Sequence, residues 1–121
     1  MAREITVNLK ISTLKGDLNH TENPGTLFVD LTGTTAVGGA ATVTTTAAAL
    51  AMGSVSSAGY AYFKNTGPTN FVEIGTGTGG SFVAFLKLKA GEAAICRLGT
   101  NTPTARANTA SVALQYYILA D

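Results

Sequence analysis

The chain has 121 residues, a length that fits one domain and needs neither disulfide nor metal to build a core. Charged residues make up 12% of it, about half the usual quarter, and the formal net charge is +1. This balance argues against a nucleic-acid binder or a polybasic membrane-surface protein, and the single cysteine rules out an internal disulfide.

The missing charge is replaced by threonine, alanine and glycine rather than by large hydrophobes, since the apolar fraction is an ordinary 45%. A free monomer usually keeps more charge for solubility, whereas a subunit packed among others loses it from its contact surfaces. Composition therefore points to a component of an assembly.

In chain order, Glu4 to Ser12 is the clearest element. Its apolar residues fall at Ile5, Val7, Leu9 and Ile11, the period of two that marks a strand with one buried face. The opening residues, Met1 to Ile5, alternate polar and apolar, without the continuous apolar run of a secretory signal. Lys15-Gly16-Asp17 and Glu22-Asn23-Pro24-Gly25 carry turn chemistry, so Leu18 to Thr21 reads as an irregular crossing and Thr26 to Thr32 as the second strand. Residues 33 to 49 are low in complexity. Gly38-Gly39 predicts a hairpin between two short strands, and Thr46 to Leu50 a single helical turn with Thr46 as its cap.

The remainder predicts strands at short, even spacing: Gly59 to Asn65, Asn70 to Ile74, Ser81 to Leu88, Glu92 to Leu98 and Ser111 to Leu119. In the last of these, Val112, Leu114, Tyr116 and Ile118 share one face. About eight or nine antiparallel strands without a long helix predict an all-β fold, a two-sheet β-sandwich or jelly roll spanning residues 1–121 as a single domain. The longest apolar stretch, around Ala47 to Met52, is too short to span a bilayer, so no membrane partner is expected.

Catalytic and ligand-binding patterns are weak. Gly75, Gly77 and Gly80 spell a G-x-G-x-x-G fingerprint after a strand, but Ser81 to Leu88 is β-rich, so no helix N-terminus follows to hold a pyrophosphate. His20 is the only imidazole and lies far in sequence from Cys96, which sits in an apolar run and is expected to be buried. The carboxylates stand singly at turns and on outward strand positions, and there is no calcium-loop or zinc-ligand spacing. No catalytic residue, metal or cofactor is expected. Asn19-His20-Thr21 spells a glycosylation acceptor, which carries little meaning without a secretory signal. Tyr60, Tyr62, Phe63, Phe71, Phe82 and Phe85 are expected to pack between the sheets.

Gly59-Tyr60-Ala61-Tyr62-Phe63-Lys64-Asn65, Asn70 to Gly75, Phe85 to Glu92 with Arg97-Leu98-Gly99, and Ala107 to Tyr116 together resemble small virion proteins of tailed bacteriophages. The resemblance covers roughly residues 50 to 121 and lies in repeated phrasing rather than in a catalytic motif. It implies a non-enzymatic virion structural protein, made in the host cytoplasm and carried in the particle. The first expectation is a capsid decoration (cement) protein, a homo-oligomer and by expectation a trimer, bound to the major capsid protein or other virion proteins. A tail, collar or fibre-base protein is the alternative. A carbohydrate-binding jelly roll is a third reading, disfavoured by the absence of tryptophan. Residues 1–15 are a candidate attachment strand, with Arg3, Ile5, Val7, Leu9 and Ile11 as the candidate interface, because a terminal strand with one apolar face can dock at a sheet edge of another chain; the alternative, which the pattern fits slightly better, is an ordinary strand of the chain's own sandwich.

Overall fold

The structure, a computed structural model, describes residues 3–121, so the first two residues of the candidate attachment strand lie outside it. The described residues form ten strands in antiparallel sheets and one short 3-10 turn, Gly79–Ser81. The fold is the all-β class that the sequence predicts. The chain divides into two compact units, the first ending at Thr32 and the second running from Gly33 to Asp121.

The first unit is one long hairpin. β1 (Ile5–Lys15) pairs with β2 (Leu18–Val29) through a tight turn at Gly16-Asp17. The turn expected at Glu22 to Gly25 is not a turn, and residues 18–21 are not an irregular crossing: both lie within β2. The register explains this. Leu9 faces Gly25 and Ile11 faces Glu22, so β2 spends three steps where β1 spends two. The extra length is a bulge at Asn23-Pro24, a place where a proline without an N–H costs the ladder nothing. Near the open end, the Arg3 N–H donates to Asp30 at 2.8 Å and the Leu31 N–H to Glu4 at 2.9 Å.

The second unit is a sandwich of two four-stranded sheets. One has the order β3 (Ala36–Val43), β10 (Val112–Ala120), β5 (Ala58–Asn65), β8 (Ala93–Arg97). The other has the order β4 (Ala48–Ala49), β9 (Thr104–Ala107), β6 (Val72–Thr76), β7 (Val83–Leu88). Alternation places Phe63, Val72, Ile74, Leu114 and Ile118 in the core with no exposed surface. Each such side chain contributes about 1.5–3 kcal/mol by burial.

Two local expectations of the second unit fail for identifiable reasons. Gly38-Gly39 makes no hairpin but continues β3, where the Tyr117 ring from β10 lies across Gly38 and supplies the packing that glycine lacks. Thr46 to Leu50 is not helical: Ala48–Ala49 pairs with β9, and the Leu50 N–H donates to the Pro103 carbonyl. The sequence reading also passes over β9 entirely.

The largest polar feature of the core is Asn65, fully buried at the end of β5. Its Nδ2 donates to the Asn70 carbonyl at 2.8 Å and to the Leu88 carbonyl at 2.9 Å, while its Oδ1 accepts from the Gly67 N–H at 2.8 Å. One side chain thus closes the Thr66–Asn70 loop and ties the end of β7 to β5.

Candidate interaction surfaces

In the hairpin, residues opposite one another point to the same face. Ile5 faces Val29, Val7 faces Leu27, Leu9 faces Gly25, and Lys15 faces Leu18. Ile5, Val7, Leu9 and Ile11, four of the five candidate interface residues, therefore lie on one face with Leu27, Val29 and Leu18. Toward the open end this face is covered, Val7 being buried and Ile5, Leu27 and Val29 partly so. Toward the turn it is bare: Ile11 is 66% exposed and Leu18 58%. Leu14, on the opposite face, is 79% exposed. The fifth candidate, Arg3, is exposed and stacks its guanidinium over Phe28 at 4.6 Å. Sequence reasoning missed Leu14 and Leu18. Their signal was two leucines flanking a Lys-Gly-Asp turn, where polar residues would be ordinary.

A second apolar surface lies on the sandwich, along the flank where edge strands β7 and β8 run. A groove of about 310 Å³ is lined there by Phe85, Leu86, Cys96 and Leu98, together with Arg97 and the threonines Thr76 and Thr100. A bulge builds it. Ile74 faces Leu86 while Gly75 faces Ala84, so Phe85 is the unpaired residue and its ring is left exposed. Val83 and Ile95 are exposed on the same two edge strands.

This bulge accounts for the glycine fingerprint. A Cβ at Gly75 would lie 2.0 Å from the Val83 carbonyl oxygen, a backbone atom that cannot yield. Gly77 has φ +79° and packs against the Ser81 carbonyl, and the Ser81 N–H closes the turn on the Thr78 carbonyl. The glycines let β6 and β7 approach. Gly75→Ala is expected to lower stability by about 2–3 kcal/mol, read from chemical denaturation. An unchanged midpoint would show that the bulge does not need the glycine.

Cys96 departs from the expectation of full burial. It is half-buried on β8, an edge strand that leaves one side open, and burial pushes its thiol above the usual cysteine range. The thiol therefore stays protonated at neutral pH. Any stability it lends through this shift is complete below the unfolded-state value and fades as pH rises through the folded one. Cys96→Ser is expected to cost about 1 kcal/mol or less, as a hydroxyl there can reach water. A loss beyond about 2 kcal/mol would require the fully buried site first expected.

Four of the carboxylates are held within the fold. Glu73 pairs with Arg106 at 2.8 Å, Asp121 with Arg97 at 3.0 Å, and Glu22 with His20 at 2.7 Å. Glu92 accepts the Lys89 N–H at 2.7 Å. Among the described residues, no three histidine, cysteine, aspartate or glutamate side chains gather as a metal site.

Of the six aromatic residues expected between the sheets, only Phe63 is fully buried; Tyr60, Tyr62, Phe71 and Phe82 are partly so, and Phe85 is exposed. Three of these rings carry cations from the same fold: Lys87 over Phe71 at 4.1 Å, Arg106 over Phe82 at 4.6 Å and Arg97 over Tyr60 at 4.7 Å. A nucleobase or sugar ring would have to displace these cations before stacking.

No protein-family model, curated protein or solved structure matches the chain.

Proposed function

We propose that this chain is a non-enzymatic structural subunit of a bacteriophage particle, a decoration protein of the head, attached to its neighbours by the N-terminal hairpin. One observation carries the reading: a long two-stranded arm whose apolar face is bare at Leu9, Ile11 and Leu18. A two-stranded hairpin is marginal on its own in water. Exposed leucines and an isoleucine along one make sense where another surface covers them. The low charge and the resemblance over residues 50 to 121 support the same reading.

Under this reading no reaction is performed. The subunit adds buried area and strand-edge pairing between neighbours, and both act without chemistry. The test is quantitative mass spectrometry of purified particles. The head reading predicts hundreds of copies per particle. A few dozen or fewer would place the chain in the tail, collar or fibre base, and its absence from the particle would overturn the proposal.

A further inference from the structure

We propose that the outer face of the β3–β10–β5–β8 sheet is a glycan-binding platform, on which Tyr62 and Tyr117 stack against the C–H face of a pyranose ring. The inference does not depend on where in a particle the chain sits.

Phe63, Leu114, Tyr116 and Ile118 point into the core, so their strand neighbours Tyr62 and Tyr117 point outward. Outward side chains fall in rows across the sheet, and one row runs Gly38, Tyr117, Tyr62, Ile95, each facing the next across a strand pair. The water-facing side of an antiparallel sheet ordinarily carries polar residues. Here Tyr117 is 50% exposed and Ile95 43%, with Tyr62 partly exposed between them. The cations that stack on rings of this fold sit over Phe28, Phe71, Tyr60 and Phe82, which leaves Tyr62 and Tyr117 open. The Tyr117 ring is also held in place. It lies across Gly38, where a Cβ would come within 2.5 Å of its Cδ1. A ring already laid on the sheet loses little freedom when a ligand stacks on it.

Polar groups stand on both sides of this row. On one side Gln115 faces Lys64; on the other are Tyr60, facing Arg97, and Leu119. Arg97 pairs with Asp121 at 3.0 Å. A pyranose asks for this arrangement. Its C–H face stacks on an aromatic ring, and its hydroxyls need donors and acceptors at the rim. Amide, ammonium, carboxylate and phenol supply both.

Size separates a sugar from a protein as the occupant. From Tyr117 to Ile95 the row crosses three strands, about 10 Å, and with its two flanking rows it covers about 200 Å². A stable protein interface takes about 800 Å² from each partner. Around the patch the face presents Ala36, Ala40, Thr42, Ala93 and Ala113, side chains too short to anchor another protein. The patch suits a short oligosaccharide.

The test uses the full chain, which has four tyrosines and no tryptophan. Three of the four stand on this face, while Tyr116 is buried and donates to the Ala51 carbonyl. The chain is screened on an array of pyranose glycans, and each hit is titrated as the soluble oligosaccharide by tyrosine fluorescence and by ring-proton NMR shifts. The proposal predicts a saturable ligand that moves the Tyr62 and Tyr117 ring signals and leaves those of Tyr116 in place. Tyr117→Ala and Tyr62→Ala should each weaken binding at least about tenfold, and Tyr117→Phe, which keeps the ring, should stay within about threefold of the natural chain. The ring signals of the natural chain decide the site even where an alanine variant fails to melt cooperatively. An array without a hit would overturn the proposal, as would a ligand whose affinity survives both alanine variants. A folded Tyr117→Ala chain that keeps any sugar binding but loses self-association or particle binding, read by light scattering, would make the face a protein contact and overturn it as well.

Discussion

Deleting residues 2 to 32 should leave a folded sandwich that no longer assembles. The core of the second unit runs from Val43 to Ala120 and draws every one of its buried side chains from beyond Thr32. The hairpin strands pair only with each other, in a separate two-stranded sheet. The truncated chain should therefore keep a β-type circular dichroism spectrum and a cooperative melt. Binding is another matter. Covering Leu9, Ile11 and Leu18 contributes about 1.5–3 kcal/mol each. Since about 1.4 kcal/mol is tenfold in affinity, losing all three should weaken association by at least about a thousandfold, read by light scattering and by binding to particles. A truncated chain that still assembles would locate the contact elsewhere. One that unfolds outright would make the hairpin part of the sandwich's own stability.

The second large effect is expected at Asn65. Asn65→Ala strands the buried Leu88 carbonyl, the part-buried Asn70 carbonyl and the Gly67 N–H. Each lost bond costs about 1 kcal/mol, and the unpaired groups add their desolvation, so about 3–5 kcal/mol should go. Asn65→Asp separates the contributions. Its carboxylate would face two carbonyl oxygens in a site without solvent, which favours the protonated form and raises its pKa. The Asp variant should therefore be less stable than the Ala variant at neutral pH and should recover as pH falls, when the protonated carboxyl can donate one bond. A loss of less than about 1 kcal/mol in Asn65→Ala would mean that water replaces the side chain.

Much of the second unit was legible in the sequence. In Ser111 to Leu119, Val112, Leu114, Tyr116 and Ile118 alternate, and all four face the core. β5, β6, β7 and β8 also lie where strand and turn signals put them. The failures share one cause: a local signal was outvoted by a distant partner. Pro24-Gly25 reads as a turn, but β1 pairs on either side of it and a bulge absorbs the excess. Gly38-Gly39 reads as a hairpin until Tyr117 lies on it. Four residues, Thr104–Ala107, are too few and too small to announce a strand, yet they join β4 to β6. The candidate interface was legible as a face, because Ile5 to Ile11 hold a strict period of two. What the sequence could not show was where along that face cover ends, because exposure depends on the fold around it. The groove was also out of reach, since only the register of β6 on β7 reveals that Phe85 is unpaired.

An image of the native particle, resolved well enough to trace this chain, tests the central claim most directly. The account predicts many copies on the head, each with its hairpin from Ile5 to Val29 seated on a neighbouring subunit and Ile11 and Leu18 covered. A particle in which the hairpin projects into solvent with those side chains bare, or from which the chain is absent, would contradict it.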